Sequence, residues 1–140
     1  MPHPVEFTLL KLPYLPLIEV LKILNPLELF TLSQCSNKLT NVVRWAGTKS
    51  YTLSTFTQRQ YDFAQLNEQH EIRIFSANLD RMMDSEYTFL DLNGSKMILD
   101  GSQIGNVLVL QANDRVAALL AVVNHMRTIF KCRAVRFNNL

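Results

Sequence analysis

Apolar residues in the first third of the chain recur every three or four positions, which is the spacing of short amphipathic helices. The pattern and its punctuation predict three helices, over residues 16–24, 26–34 and 36–45. Asn25 is placed to cap the second helix, with Pro26 in its first turn and Glu28 completing a capping box. Ser36 is placed to cap the third. Helices this short are marginal in isolation, so we expect them to pack on one another or on a partner.

Beyond Gly47 the pattern changes to alternation, which predicts strands at residues 51–56, 71–75, 87–92, 96–99, 107–110 and 133–137. Asn93-Gly94 between two of these runs indicates a hairpin. Asn113 is expected to cap a helix over residues 114–130, and residues 107–137 then form a βαβ unit. The apolar stripe predicted for that helix consists of Val116, Leu119, Leu120, Val123, Met126 and Phe130, with His125 off it.

The predicted fold class is α+β, with a helical region at residues 8–46 followed by a β-rich region at residues 47–140. The last predicted strand lies three residues from the end of the sequence. A sheet that stops there leaves an open edge, so we expect the β-rich region to be part of a larger domain.

Composition excludes several classes of protein. The chain has 140 residues, of which 48% are hydrophobic and 19% charged, and this argues against disorder. The formal net charge is +2 and basic residues alternate with acidic ones, so binding of nucleic acid through its phosphates is not expected. No apolar run approaches the roughly 20 residues that span a bilayer, and the start lacks the features of a secretory signal. Together with two isolated cysteines, this predicts an intracellular protein of the cytoplasm or nucleus.

Candidate catalytic groups are sparse. The three histidines lie in different predicted elements, without the spacing of metal ligands, and no glycine-rich phosphate loop is present. We therefore predict no catalytic residue, no metal site and no cofactor. An enzyme that uses Asp91 or Asp100 beside the hairpin would lack a partner residue.

The helical segment carries an ordered set of residues that resembles the F-box motif. In chain order these are Leu12-Pro13, Val20-Leu21, Leu24, Asn25-Pro26, Glu28-Leu29, Leu32, Cys35-Ser36, Lys38 and Val42. The Leu-Pro-Tyr-Leu-Pro opening, the Asn-Pro turn and the Leu-Ser-Gln-Cys-Ser stretch look like the expanded nematode branch of F-box proteins.

The resemblance implies a non-enzymatic function. An F-box docks on the S-phase-kinase-associated adaptor subunit of a cullin-type (SCF) ubiquitin ligase, and the rest of the chain would present an unidentified target protein for ubiquitination. The implied adaptor-binding positions are Leu12, Pro13, Leu21, Leu24, Pro26, Leu29, Leu32, Cys35 and Ser36. In this reading the leucines fill grooves of the adaptor, Pro26 sets the turn between helices and Ser36 caps the third helix.

Two alternatives remain open at this stage. The three helices resemble a helix-turn-helix DNA-binding module in outline, with Lys38, Arg44 and Lys49 on or after the third helix. That helix is more apolar than a recognition helix in the DNA major groove should be, because it contains Leu39, Val42 and Val43. The helices can also be a helical hairpin that simply packs on the C-terminal region.

Overall fold

A computed structural model describes residues 14–34, 36–46, 50–81, 88–92 and 94–139 of the chain. The helices in these residues are α1 (Tyr14–Ile23), α2 (Pro26–Ser33), α3 (Asn37–Ala46) and α4 (Arg115–Ile129). The strands are β1 (Ser50–Thr57), β2 (Tyr61–Leu66), β3 (His70–Ser76), β4 (Thr88–Leu92), β5 (Ser95–Ile104), β6 (Val107–Ala112) and β7 (Lys131–Asn139). A 3₁₀ turn lies at Leu79–Arg81. Three helices followed by a sheet and a later helix confirm the predicted α+β class.

The starts of the second and third helices are fixed by side-chain caps, as predicted. The Glu28 amide donates to Asn25 Oδ1 over 2.9 Å, and the Asn25 amide donates to Glu28 Oε1 over 3.0 Å. Pro26, which has no amide hydrogen to satisfy, follows the cap. At α3, the Leu39 amide donates to Ser36 Oγ over 3.0 Å. These contacts fix the first turn of each of the two short helices, where the chain changes direction.

The cap of α4 lies one residue later than predicted. The Asp114 carboxylate accepts hydrogen bonds from the amides of Val116 and Ala117, whereas Asn113 Oδ1 accepts from the Leu79 amide. Asn113 therefore ties the 3₁₀ turn to the end of β6. A carboxylate at this position also interacts favourably with the positive end of the helix dipole.

The predicted apolar stripe of α4 is partly wrong. Val116 and Leu120 are 57% and 49% exposed. The buried side consists of Ala118, Leu119, Ala121, Val122, Val123, Met126 and Ile129. Apolar residues occur nearly all round this helix, so its sequence period does not select one side, and packing against the sheet and the other helices does.

The seven strands form one mixed sheet in the order β4-β5-β6-β3-β2-β1-β7. The pairs β3–β6 and β1–β7 are parallel, and the other neighbours are antiparallel. Following these directions across the sheet makes β6 and β7 parallel, so β6, α4 and β7 form the predicted strand-helix-strand crossover. Three strands lie between β6 and β7, and β7 forms an edge of the sheet.

Strand β2 was not predicted, because a carboxylate occupies one of its inward positions. Ala64 and Leu66 face the core from β2, and Asp62 lies on the same side, with only 1% of its surface exposed.

The predicted hairpin is confirmed, since Leu92 pairs with Ser95 and the chain turns through Gly94 at a φ of +87°. A glycine adopts that left-handed conformation without a steric penalty.

One hydrophobic core joins the helices to the sheet. Its strand residues include Leu53, Ile72, Ile74, Leu108 and Leu110, and its helical residues include Leu17, Leu21, Leu27, Phe30, Val43 and Met126. All four helices contribute to this cluster, so they lie on the same side of the sheet.

Aromatic side chains stabilise the other side of the sheet. The rings of Phe56 and Phe63 stack with centroids 4.7 Å apart, and those of Tyr61 and Phe75 lie 5.0 Å apart. The guanidinium of Arg73 lies 5.1 Å from the centre of the Tyr61 ring. These side chains pack against one another across neighbouring strands, on a face that none of the described helices covers.

We predict that amide hydrogens in β7 exchange faster than those in β6. Among the described strands, β7 is hydrogen-bonded only to β1, whereas β6 lies between β3 and β5. An edge strand opens without disturbing a second neighbour. Hydrogen–deuterium exchange of the whole protein measures the difference, and equally strong protection of residues 133–137 and 107–110 would contradict it.

We also predict that Asp62→Leu stabilises the protein. Both carboxylate oxygens of Asp62 are buried without a hydrogen-bond partner. Leu has the same branching and needs no donor, so the free energy of unfolding should rise by about 1–3 kcal/mol. Urea denaturation measures the change. The control Asp80→Leu removes an exposed carboxylate and should alter stability by less than about 0.5 kcal/mol, and a destabilised Asp62→Leu protein would contradict the prediction.

Candidate functional site

The residues predicted to bind an adaptor differ in how exposed they are. Leu21 and Pro26 are buried inside the chain's own core. Leu24, Leu29 and Leu32 are partly buried and pack against that core while keeping some surface open. Ser36 serves as the α3 cap described above. Leu12, Pro13 and Cys35 lie outside the described residues.

Helix α2 has two distinct sides. Leu27 and Phe30 are fully buried in the shared core. Leu29 and Leu32, three positions apart, lie on the other side of the helix and are only partly covered. The inner side of the helix is therefore fully buried in the chain's own core, whereas the described residues cover the outer side only in part.

Two further apolar side chains of the helical segment are exposed. Ile23 at the end of α1 is 81% exposed and Trp45 near the end of α3 is 74% exposed. Neither residue stands out in the sequence, because helical spacing does not distinguish apolar residues that are buried in the chain's own core from those that stay exposed. Exposed apolar side chains of this size contribute to a docking surface where they adjoin other apolar groups.

The helical segment is fastened to α4 by a polar contact inside an otherwise apolar junction. His125 Nε2 lies 2.7 Å from Ser33 Oγ, and the Gln34 side-chain amide donates to His125 Nε2 over 2.7 Å. The Phe30 ring meets the His125 ring edge-on, with centroids 5.5 Å apart. Thr40 adds a bond from α3, because its hydroxyl donates to the Ser33 carbonyl over 2.6 Å. Ser33 thus connects α2, α3 and α4.

The position of His125 differs from the prediction that it lies off the buried side of α4. Burial lowers the pKa of His125 below its ordinary value. The neutral imidazole is also the form that the contact with Gln34 needs, since an amide nitrogen only donates. One sequence signal was available: His125 follows Ala118 and Val122 at helical spacing, and both of those residues are buried.

The described part of the chain holds no group of three or more His, Cys, Asp or Glu side chains that could bind a metal ion. Within the same residues, no helix is both long enough and apolar enough to span a bilayer.

Comparison with known families identifies the helical segment. Residues 9–50 match the F-box domain, a match that includes α1, α2 and α3. No curated protein and no solved structure matches the chain. The chain therefore contains an F-box domain.

An F-box domain is generally a module that binds the S-phase-kinase-associated adaptor in SCF ubiquitin ligases, and proteins that carry it are typically non-enzymatic. The alternative in which the helices pack on the C-terminal region describes part of the same structure, because α2 and α3 do contact α4. Within the described residues, packing on α4 uses the inner side of α2 and leaves part of the outer side exposed, so the two interpretations are compatible.

We predict that the junction weakens in mild acid. The unfolded chain takes up a proton at His125 near pH 6.5, whereas the folded chain, with its lowered pKa, resists protonation. The unfolded state therefore binds more protons, and the free energy of unfolding falls as the pH drops below about 6.5.

The variant His125→Gln isolates this contribution. Its stability, measured by urea denaturation between about pH 8 and pH 5, should depend less on pH than that of the wild type. His70, whose pKa is also lowered by burial, is present in both proteins and cancels in the difference. Parallel pH curves for wild type and variant would show that His125 makes no such contribution.

Proposed function

We propose that the protein is a substrate receptor of a cullin-type ubiquitin ligase. Its F-box would bind the S-phase-kinase-associated adaptor, and residues 47–140 would hold a target protein. The observation that carries the proposal is the F-box match over residues 9–50. In this function the chain supplies no reacting group. It raises the effective concentration of a target lysine near the ubiquitin-charged enzyme.

The outer side of α2 is the proposed centre of the adaptor interface. Leu29 and Leu32 are apolar and partly exposed, and Leu24 and Ile23 precede them at the end of α1. Leu21 and Pro26, both buried, would act indirectly, by fixing the angle between α1 and α2. This division separates residues that touch the partner from residues that shape the surface.

The finer parts of the proposal rest on sequence likeness. The Leu-Pro-Tyr-Leu-Pro opening and the Leu-Ser-Gln-Cys-Ser stretch support a place in the nematode branch of F-box proteins. We also propose residues 8–46 as the box, residues 47–140 as the target-binding region, and the cytoplasm or nucleus as the place of action. The target itself is not identified by these features.

We predict that truncating both outer leucines of α2 disrupts adaptor binding. The double variant Leu29→Ala, Leu32→Ala should bind a purified S-phase-kinase-associated adaptor at least about a hundredfold more weakly, because buried interface anchors contribute about 2 kcal/mol or more each. Calorimetric titration of the full chain with the adaptor measures the affinity.

The matched control is Val116→Ala, Leu120→Ala on α4. Both residues are exposed apolar side chains on one helix, so the control removes a similar area far from the proposed interface. It should bind the adaptor as the wild type does. Circular dichroism must show that both double variants are folded. Wild-type protein that is folded at micromolar concentration and fails to bind the adaptor would refute the proposed function, whereas full binding by the Leu29, Leu32 variant would refute only the choice of surface.

A further inference from the structure

A groove lies where the end of α3 meets the junction of α4 and β7. Its volume is about 680 Å³, and its lining includes Arg44, Arg127, Thr128, Phe130, Lys131 and Cys132. Phe130 is buried and Cys132 is half-buried, so the floor belongs to the folded core. The three cationic side chains are exposed at its rim, and they come from three separate elements. We call this feature the cationic groove.

The charges of the groove are not neutralised within the described chain. None of the described lining residues is acidic. The ion pairs found among the described residues are Lys22 with Glu19 and Arg73 with Glu71, neither of which is in the groove. Within the described residues, Arg44, Arg127 and Lys131 take part in no hydrogen bond or ion pair that would engage their donors.

Arg127 influences the Cys132 thiol electrostatically. Burial raises the pKa of the Cys132 thiol, and the Arg127 guanidinium opposes part of that rise. The guanidinium therefore lies within electrostatic reach of the half-buried thiol, and the Arg127 side chain remains exposed to solvent. The neighbouring Thr128 hydroxyl donates to the Asn124 carbonyl, so the donors left for a ligand are those of the cations.

Helix dipoles explain only part of this charge. Arg44 and Arg127 lie in the last turns of α3 and α4, where a cation offsets the negative end of a helix. Each helix end carries about half an elementary negative charge, so two ends offset about one of the three positive charges. Roughly two positive charges remain, and Lys131 lies on β7, outside both helices.

We infer that the cationic groove binds a phosphate-type oxyanion, with Arg44 and Arg127 as forked donors and Lys131 as a point charge. The residual charge of about +2 matches a phosphate group, which carries about −1.5 to −2 at pH 7, better than it matches a single carboxylate. Two guanidinium groups supply planar, paired donors that fit phosphate oxygens. This inference does not rest on the proposed adaptor binding and holds or fails separately from it.

The test is a titration of the ¹⁵N-labelled full chain, followed by amide chemical shifts. The probes are inorganic phosphate, acetate as a monoanion, a phosphoserine peptide and the same peptide without phosphate. We expect saturable shifts centred on Thr128, Lys131 and Cys132 with phosphate, and about tenfold weaker binding of acetate. Tighter binding of the phosphopeptide than of inorganic phosphate would assign the oxyanion to a modified protein side chain. Equal binding would assign it to a free phosphate compound.

Single-charge variants locate the site. Arg44→Gln and Arg127→Gln should each weaken phosphate binding about tenfold or more, and Lys131→Gln should weaken it several-fold. Lys38→Gln removes one exposed charge from the same helix as Arg44, away from the groove, and should change affinity less than about twofold. The altered side chains are exposed, so the fold should persist, which the spectra report directly. Non-saturating shifts, or equal loss of binding in Lys38→Gln and Arg44→Gln, would overturn the inference.

Discussion

The burial of Phe30 and Leu27 in the core that α2 shares with α4 and the sheet is the interaction on which the arrangement of this protein depends. Both side chains are fully buried, and they belong to the same cluster as the inward residues of the sheet. Helices of eight to ten residues do not hold together alone in water. The F-box helices therefore gain their stability from a core that they share with α4 and the sheet, which fixes the direction in which their outer side points.

The sharing of one core has a mechanical result. In the proposed function the chain must hold a target in a fixed orientation relative to the adaptor, and a flexible linker between the F-box helices and the sheet would lose that orientation. Here the two parts are joined by apolar packing and by the Ser33, Gln34 and His125 contact. The polar contact fixes the orientation of α2 relative to α4 more closely than apolar packing, which is non-directional, does alone.

Local features of this fold could be predicted from the sequence, and features that depend on distant residues could not. The Asn25 and Glu28 capping box and the turn at Gly94 involve residues three or fewer apart, so their sequence patterns suffice. Strand β2 could not be predicted, because the inward placement of Asp62 depends on the neighbouring strands. The partners Ser33 and His125 are 92 positions apart, and Arg44 meets Arg127 and Lys131 only through the fold. For the residues proposed to bind the adaptor, the spacing pattern did not divide the buried side of the helices from their exposed side.

The pairing of β1 with β7 has a consequence for synthesis on the ribosome. Strand β1 gains one of its two neighbours only when β7 has been made, and the core that buries Phe30 and Leu27 is complete only when α4 has been made. During translation the inner side of the box is therefore incompletely covered while the 96 residues from the end of α2 to the end of α4 are made. This takes about 5–20 seconds at about 5–20 residues per second. A nascent chain with an uncovered apolar helix is a natural client for chaperones. An adaptor that binds the outer side of α2 would not shield that inner side.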